Sequence, residues 1–375
     1  MMKDNEKQKT TRLHKPERHC QWLYSSLSMG STKFTCTECL RQIVVTPQAT
    51  WVRCDCKAVF TIGSNGQLCQ LHNGDYPVGS LAMQLKLNSF SQAHPRRRAL
   101  LCGVSYNNRK IKLKGTMNDV GRMRSLLVDQ FNFPSDSIFV LAEDLNFPNR
   151  IPTKQNVQKG LKWLVEDCQS GDSLVFYFSG HGLRQPDFDG DEVDGFDETL
   201  CPVDFKTAGM ILDNEINNTI VKPLKEGVTL HAIIDTCHSG TILDLEHVYD
   251  RKNFKSRKWV DNKPPSGAKK STSGGHAICF SACEDHQLAA DTNAFSGKEM
   301  AGAMTFNFVK AIKSHPQISY GELLNYMHEE IEAALRKAGC LNNKILNKMF
   351  RRRMIQEPQL SSSKEFNVET TIFKL

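Results

Sequence analysis

From Arg96 onward, apolar runs of strand length alternate with segments of helical period: "RRRALLCGVSY", "SIFVLAED", "NVQKGLKWLVEDCQSG", "DSLVFYFSG", "VTLHAIIDT", "HAICFSAC", "AMTFNFVKAIKS" and "YGELLNYMHEEIEAALRKAG". Strands apolar on both faces, interleaved with amphipathic helices, predict an α/β domain. Its central sheet should be mostly parallel and flanked by helices. Open sheets of this class carry their chemistry in loops at the carboxyl ends of strands.

Ahead of this domain the text is different. Residues 1–18 are charged and aperiodic, as disordered tails are. Residues 19–72 form a small cysteine-rich module holding six of the thirteen cysteines, and 73–95 read as a linker rich in Ser, Pro and Gly. Within 96–375, the stretch Asp250–Gly275, "DRKNFKSRKWVDNKPPSGAKKSTSGG", predicts an exposed basic loop over 251–275. That loop separates a larger part, 96–250, from a smaller one, 276–375.

Forty-eight Lys and Arg against forty-one Asp and Glu give a net charge of +7. The basic residues fall in the tail, at Arg96 to Arg98, in the 251–270 loop and at Arg351 to Arg353. This is the distribution of solvated tails and linkers, without a recognition helix, so no nucleic-acid partner is expected. An odd cysteine count and the lack of an apolar leader argue against a secreted disulfide framework. No apolar run reaches the ~18 residues of a membrane span. The expectation is a cytoplasmic protein, with nuclear entry left open, and a monomer.

Two strands end in reactive side chains: "SLVFYFSGHG" delivers His181 and "HAIIDTCHSG" delivers Cys237. In a parallel sheet those ends share one edge, so residues 56 apart in sequence (237 − 181) can stand together. A thiol needs a base to become a nucleophile, and an imidazole can both take that proton and protonate a leaving amine. A Cys–His dyad for acyl transfer follows. The glycines beside His181 permit close approach of a substrate backbone, and the Gly182 amide can face a developing oxyanion. Cys102, Cys201 and Cys279 sit in strand text and are expected in the core, as is His231.

"YFSGHG" and "IIDTCHSG", with "ALLCGVSY" before them and "NDV" after the first strand, resemble the caspase-like domain of metacaspases. The resemblance is to the plant type I form, which carries an N-terminal zinc-finger prodomain, and it covers about residues 96–375. It implies the caspase-haemoglobinase fold and a calcium-dependent cysteine endopeptidase that cleaves protein substrates after Arg or Lys. It also implies autoprocessing and a role in programmed cell death or stress proteolysis. The dyad maps onto His181 and Cys237. The acidic S1 pocket maps onto Asp119, Ser179 and Asp235, with Thr116 where many members have a cysteine, and Cys283 matches a position where members often have a second one. A carboxylate pair suits a guanidinium, although Asp119 and Asp235 equally suit a helix-cap residue and a strand-end acid. Thr116, Asn214 and the altered zinc knuckle keep a weakly active regulatory scaffold as the rival reading.

"DFDGDEVDGFDETLCPVD" packs seven carboxylates between Asp187 and Glu198, a density that suits either solvent or a bound cation. An EF-hand on Asp187, Asp189, Asp191 and Glu198 fails because Glu192 takes the obligatory glycine position. The resemblance instead implies calcium ligands at Asp197, Asp213, Asn214 and Asp244, with Asn214 replacing the usual aspartate and weakening the site. The basic loop offers self-cleavage points at Lys255, Arg257, Lys258, Lys269 and Lys270. In the module, Cys36, Cys39, Cys54 and Cys56 give C-x2-C and C-x-C knuckles at a spacing that admits a tetrahedral zinc. The second knuckle departs from the family's C-x2-C, so the module reads as degenerate. Such a prodomain serves to bind regulatory proteins.

Overall fold

The computed structural model describes residues 96–107, 111–143, 148–190, 192–237, 239–251, 258–264, 266–282, 291–292, 301–337 and 357–375. It adds five short strands between residues 32 and 70. The chain divides into two compact units, with the boundary between Ser80 and Leu81.

In the N-terminal unit, β1 (Thr32–Thr35) pairs antiparallel with β2 (Gln42–Val45). The strands β3 (Trp51–Arg53), β4 (Val59–Ile62) and β5 (Leu68–Gln70) form a second antiparallel sheet. Cys36, Cys39, Cys54 and Cys56, the tail and the 73–95 linker lie outside the described residues.

The C-terminal unit is built on an eight-stranded sheet. Its parallel part runs β6 (Arg97–Gly103), α1 (Thr116–Asp129), β7 (Ile138–Ala142), α2 (Lys154–Val165) and β8 (Ser173–Ser179). After β8 come β9 (Gly182–Pro186), β10 (Phe196–Leu200), the short α3 (Phe205–Ala208), β11 (Ile211–Leu212) and α4 (Asp213–Ile216). The chain returns to the sheet with β12 (Thr229–Asp235), β13 (His247–Asp250), β14 (Lys258–Asp261) and β15 (His276–Ser281). It ends with β16 (Asp291–Thr292), β17 (Ala301–Gly302), α5 (Ala303–Ser314), α6 (Tyr320–Lys337) and β18 (Gln359–Ser362). The strand order across the sheet is β14-β13-β18-β15-β12-β8-β6-β7, with β6, β7, β8, β12 and β15 parallel. A separate antiparallel sheet of β9, β10 and β11 stands beside the β8 terminus.

The uninterrupted apolar text of β6, β8 and β12 has a direct cause, since successive side chains enter two different cores. Leu101, Val175, Tyr177 and Ile233 pack with Val120, Met123, Leu126 of α1 and with Phe308 and Leu323 of α5 and α6. Leu100, Cys102, Phe176, Phe178 and Ile234 pack on the other face with Val157 and Leu161 of α2 and with Ile216 and Ile220. Cys102, Cys201 and Cys279 are fully buried, as expected. So is His231, whose Nε2 lies 2.6 Å from the Tyr320 hydroxyl.

Most described residues of the segment after Asp250 are exposed, as expected over 251–275, but the segment is not a loop throughout. Lys258–Asp261 is an edge strand of the main sheet, Pro264 is buried, and Lys270 is only 4% exposed. Backbone pairing accounts for the strand, and a group of acids draws in the Lys270 ammonium. Lys269 is exposed as expected, while Lys255 and Arg257 lie outside the described residues. Among the described residues, no helix is long and apolar enough to cross a membrane.

Candidate active site

The strands β8 and β12 pair in parallel with Ser179 opposite Asp235. His181 and Cys237 each stand two residues beyond that pair, just past the carboxyl ends of β8 and β12. Both are partly exposed, whereas the residues just before them on each segment are buried. Gly182 packs so closely behind Cys237 that an added Cβ would lie 2.1 Å from the Cys237 carbonyl oxygen and 2.9 Å from Thr236 Oγ1. No other residue fits there.

His181 is held by groups outside the sequence motif. Its Nε2 lies 2.7 Å from the Ile111 carbonyl oxygen. A carbonyl only accepts, so Nε2 carries the ring proton and Nδ1 is the basic nitrogen. The His181 amide donates to the Tyr106 hydroxyl at 2.8 Å, and that hydroxyl donates to the Cys201 carbonyl at 2.6 Å. The Tyr106 ring centroid lies 4.6 Å from the imidazole. Tyr106 itself has a left-handed φ of 53°. Glu143 secures that backbone, accepting the amides of Tyr106 and Asn107 at 2.5 and 2.9 Å.

The three residues expected in the S1 pocket gather at the start of α5. Asp119, on the first turn of α1, is fully buried, and Ser179 and Asp235 are 3% and 5% exposed. Asp119 accepts the Gly302 amide at 2.8 Å, and Asp235 accepts both the amide and the hydroxyl of Thr305, at 2.9 and 2.6 Å. Asp235 is the last residue of β12, the strand-end acid of the alternative reading, and from there it satisfies donors of the first turn of α5. The two carboxylates converge on Gly302, where an added Cβ would fall 2.2 Å from Asp235 Oδ2 and 3.2 Å from Asp119 Oδ2. Arg122 lies 3.3 Å from Asp119 Oδ1 on the solvent side. Burial first, then the charges of Asp119 and Asp235, push the Tyr177 phenol well above its ordinary range. Its hydroxyl stands 2.9 Å from Thr305 Oγ1. Thr116 lies behind this group, bonded to Ser105 at 2.7 Å.

The acids expected to hold calcium also come together. Carboxylate oxygens of Glu192, Asp197 and Asp213 lie within 4.8 Å of one another. Asp213 accepts the amides of Glu198 and Asn214, both at 2.6 Å, and Asp197 accepts Gln185 Nε2 at 3.1 Å. Asp244, at a left-handed φ of 51°, approaches through Lys270, whose Nζ lies 2.6 Å from Glu192 Oε1 and 2.9 Å from Asp244 Oδ2. Desolvation and mutual repulsion push Glu192 up to about 9, Asp213 to about 8 and Asp244 to about 7. Compact, oxygen-only and short of positive charge, this donor set fits calcium. Glu192 was not anticipated as a member, and the density of acids around it was the signal that could have found it. Asn214 touches the group through its backbone amide on Asp213.

The acid cluster is joined to the segments that carry His181 and Cys237. The strand β9 starts immediately after His181 and pairs with β10, which carries Asp197 and Glu198, while the Cys201 amide donates to the His181 carbonyl at 3.0 Å. On the other side, Thr241, four residues after Cys237, donates to Glu198 at 2.5 Å.

A family described as metacaspase, peptidase C14 domain, matches residues 97–246. Metacaspase-1 of Arabidopsis thaliana is 45% identical over 309 residues, covering 82% of this chain and 84% of that protein. Metacaspase-3 of the same plant is 47% identical over 281 residues, covering 75% and 76%. Metacaspase-1B of Aspergillus clavatus is 36% identical over 280 residues, covering 65% and 68%. Among solved structures, a protein from Geobacter sulfurreducens aligns at a TM-score of 0.47 and 18% identity, covering 75% of this chain and 98% of that one. Caspase-1 from Spodoptera frugiperda aligns at a TM-score of 0.35 and 11% identity, covering 75% and 89%. With relatives of this identity and coverage, the chain belongs to the metacaspase family, in its plant type I form, and is a cysteine-type endopeptidase.

Proposed function

We propose that this endopeptidase cleaves protein substrates after Arg or Lys and that calcium activates it. The observation that carries the specificity is the convergence of two buried carboxylates, Asp119 and Asp235, on Gly302, with Asp235 only two residues from the nucleophile. A guanidinium or ammonium entering beside Gly302 meets two acids in a desolvated setting, where charge-assisted bonds are strong.

In this reading His181 Nδ1 takes the proton from Cys237 Sγ, and the thiolate attacks the scissile carbonyl carbon. The Gly182 N–H stabilises the oxyanion. Collapse of the tetrahedral intermediate breaks the C–N bond, and the imidazolium returns its proton to the leaving amine. His181 then activates water to hydrolyse the thioester. Glu192, Asp197, Asp213 and Asp244 would hold calcium, which would supply the positive charge that these acids lack. Asn214 stands at the family's remaining ligand position.

Self-cleavage in the 251–270 segment follows from the same specificity, with Lys258 and Lys269 exposed and available. The enzyme acts as a monomer in the cytoplasm, with nuclear entry open, and the N-terminal module binds regulatory proteins, with zinc held by Cys36, Cys39, Cys54 and Cys56. A role in programmed cell death or stress proteolysis rests on family membership alone.

Hydrolysis of a fluorogenic peptide with Arg at P1, with and without calcium, tests the reading on the wild-type chain and on Cys237→Ala. Turnover is expected only in the wild type with calcium. Equal rates with Asp at P1, or turnover independent of calcium, would sink the specificity and the calcium dependence respectively.

A further inference from the structure

Lys270 is a lysine with almost no access to water, at 4% exposure. It belongs to the segment joining the two parts of the peptidase unit, directly after the exposed Lys269. Its ammonium sits between Glu192, whose side chain is 7% exposed, and Asp244, at 2%, with contacts of 2.6 and 2.9 Å. These residues come from three separate segments: the turn between β9 and β10, the loop after Cys237, and the 251–275 segment, the linker between the two parts of the peptidase unit. Lysine is seldom buried unless paired, so these contacts fix its position.

The backbone is tied to the same place. Asn217 Nδ2 donates to the Lys270 carbonyl at 3.1 Å and to the Leu243 carbonyl at 2.9 Å. Through that one amide the linker is stitched to the loop that carries Asp244. The acid oxygens that Lys270 engages belong to the group that also contains Asp197 and Asp213.

We propose that Lys270 is a tethered cation that holds the calcium site closed, and that calcium replaces it, releasing the linker. This rests on the calcium reading above. A calcium ion bound by these acids would stand about 2.3–2.6 Å from each ligating oxygen, which is the space that the Lys270 ammonium holds against Glu192 and Asp244. Two positive centres in that volume repel, so occupation by one excludes the other. The exchange gives calcium two coupled effects. It removes the anchor of the segment around Lys269 and Lys270, making that Arg/Lys-rich stretch available for cleavage, and it frees Asp244 and the loop that follows the nucleophile. The calcium threshold is therefore set partly by Lys270, because each binding event must first break its ion pairs.

The test uses the full chain with Cys237→Ala, which blocks self-cleavage. Calcium titration calorimetry compares that chain with one also carrying Lys270→Gln, and at least tenfold tighter binding is expected without the ammonium. In the chain that keeps Lys270, amine acetylation read by mass spectrometry should find Lys269 reactive throughout. Lys270 should be protected without calcium and reactive at saturating calcium. This second measurement stands even if Lys270→Gln fails to fold. Equal affinities in two folded chains, or a Lys270 still protected in the calcium-bound state, overturn the exchange and leave the calcium reading intact. Absence of calcium uptake by both chains overturns the calcium reading and the exchange with it.

Discussion

Tyr106 grips His181 at two points: its hydroxyl accepts the His181 amide N–H at 2.8 Å while its ring lies 4.6 Å from the imidazole. Because that hydroxyl also donates to the Cys201 carbonyl, it fixes the start of β9 and the end of β10 together. Tyr106→Phe keeps the ring and deletes only the hydroxyl. The His181 amide and the Cys201 carbonyl then each lose a buried partner, at about 1–3 kcal/mol for an unsatisfied group. Loss of orientation should lower kcat by about tenfold with KM little changed, since the substrate pocket is untouched. An unchanged kcat in the folded variant would remove Tyr106 from the positioning of His181.

Asp235 binds the first turn of α5 and, in the proposed function, the P1 cation, two roles that substitution can separate. Asparagine retains an oxygen for the Thr305 donors at the start of α5 but has no charge. Asp235→Asn should therefore remain close to wild type in melting temperature, yet lose at least a hundredfold in kcat/KM toward P1-Arg peptides. That loss corresponds to about 3 kcal/mol of pairing with the guanidinium. Asp235→Ala should show the same loss plus about 1 kcal/mol of destabilisation from the missing cap. If Asp235→Asn cleaves P1-Arg peptides at the wild-type rate, Asp235 is a cap and nothing more.

Much of this arrangement was legible from residue order. The strands were readable because a sheet covered on both faces needs unbroken apolar runs, and His181 and Cys237 stood out as a candidate dyad because each follows the end of such a run. Asp119 and Asp235 were paired only through the family resemblance, and residue order carries no sign of their shared contact with Gly302, which depends on α5 returning to the sheet from far along the chain. Tyr106, the Ile111 carbonyl and Glu143 left no comparable mark. They act through a left-handed backbone, a main-chain oxygen and contacts between distant segments, none of which has a sequence period. Lys270 was misread for a related reason: in a run of Lys, Ser and Gly it looks solvated, and only the acids contributed by two other loops account for its burial.

Acid should destabilise the sheet at its amino end. Burial lowers His231 to about 3 and His276 to about 4. In the unfolded chain both titrate near 6.5, so there they bind protons that the folded state rejects. Their neutral, buried forms thus contribute fully above about pH 6.5, and this stability is lost as pH falls toward 4. At pH 5 the penalty from His231 is about 2 kcal/mol. His276 contributes less because it is partly exposed and solvent screens its charge. Urea midpoints measured from pH 7.5 to 4.5 should fall on this schedule, and His231→Gln, which can still meet the Tyr320 hydroxyl, should flatten the slope. An unchanged slope would assign the acid sensitivity to other groups.

Asn214 offers a last test, because it departs from the aspartate that the family resemblance leads one to expect. Its amide already donates to Asp213 Oδ1 at 2.6 Å, so the side chain projects from a residue adjoining the acid cluster. Asn214→Asp adds a negative charge beside Glu192, Asp197 and Asp213, two of which burial and mutual repulsion already hold near or above neutrality. Without calcium the added repulsion should lower the melting temperature by several degrees, on the order of 1 kcal/mol. With calcium it should be repaid by tighter binding, since affinity rises with ligand charge. A stabilisation that grows as RT ln(1 + [L]/Kd) then begins at lower ion concentration. Melting curves across a calcium series should cross, the variant being less stable than wild type at the start and rising earlier. Parallel curves would mean that residue 214 does not face the ion and that Glu192 has taken its place among the ligands.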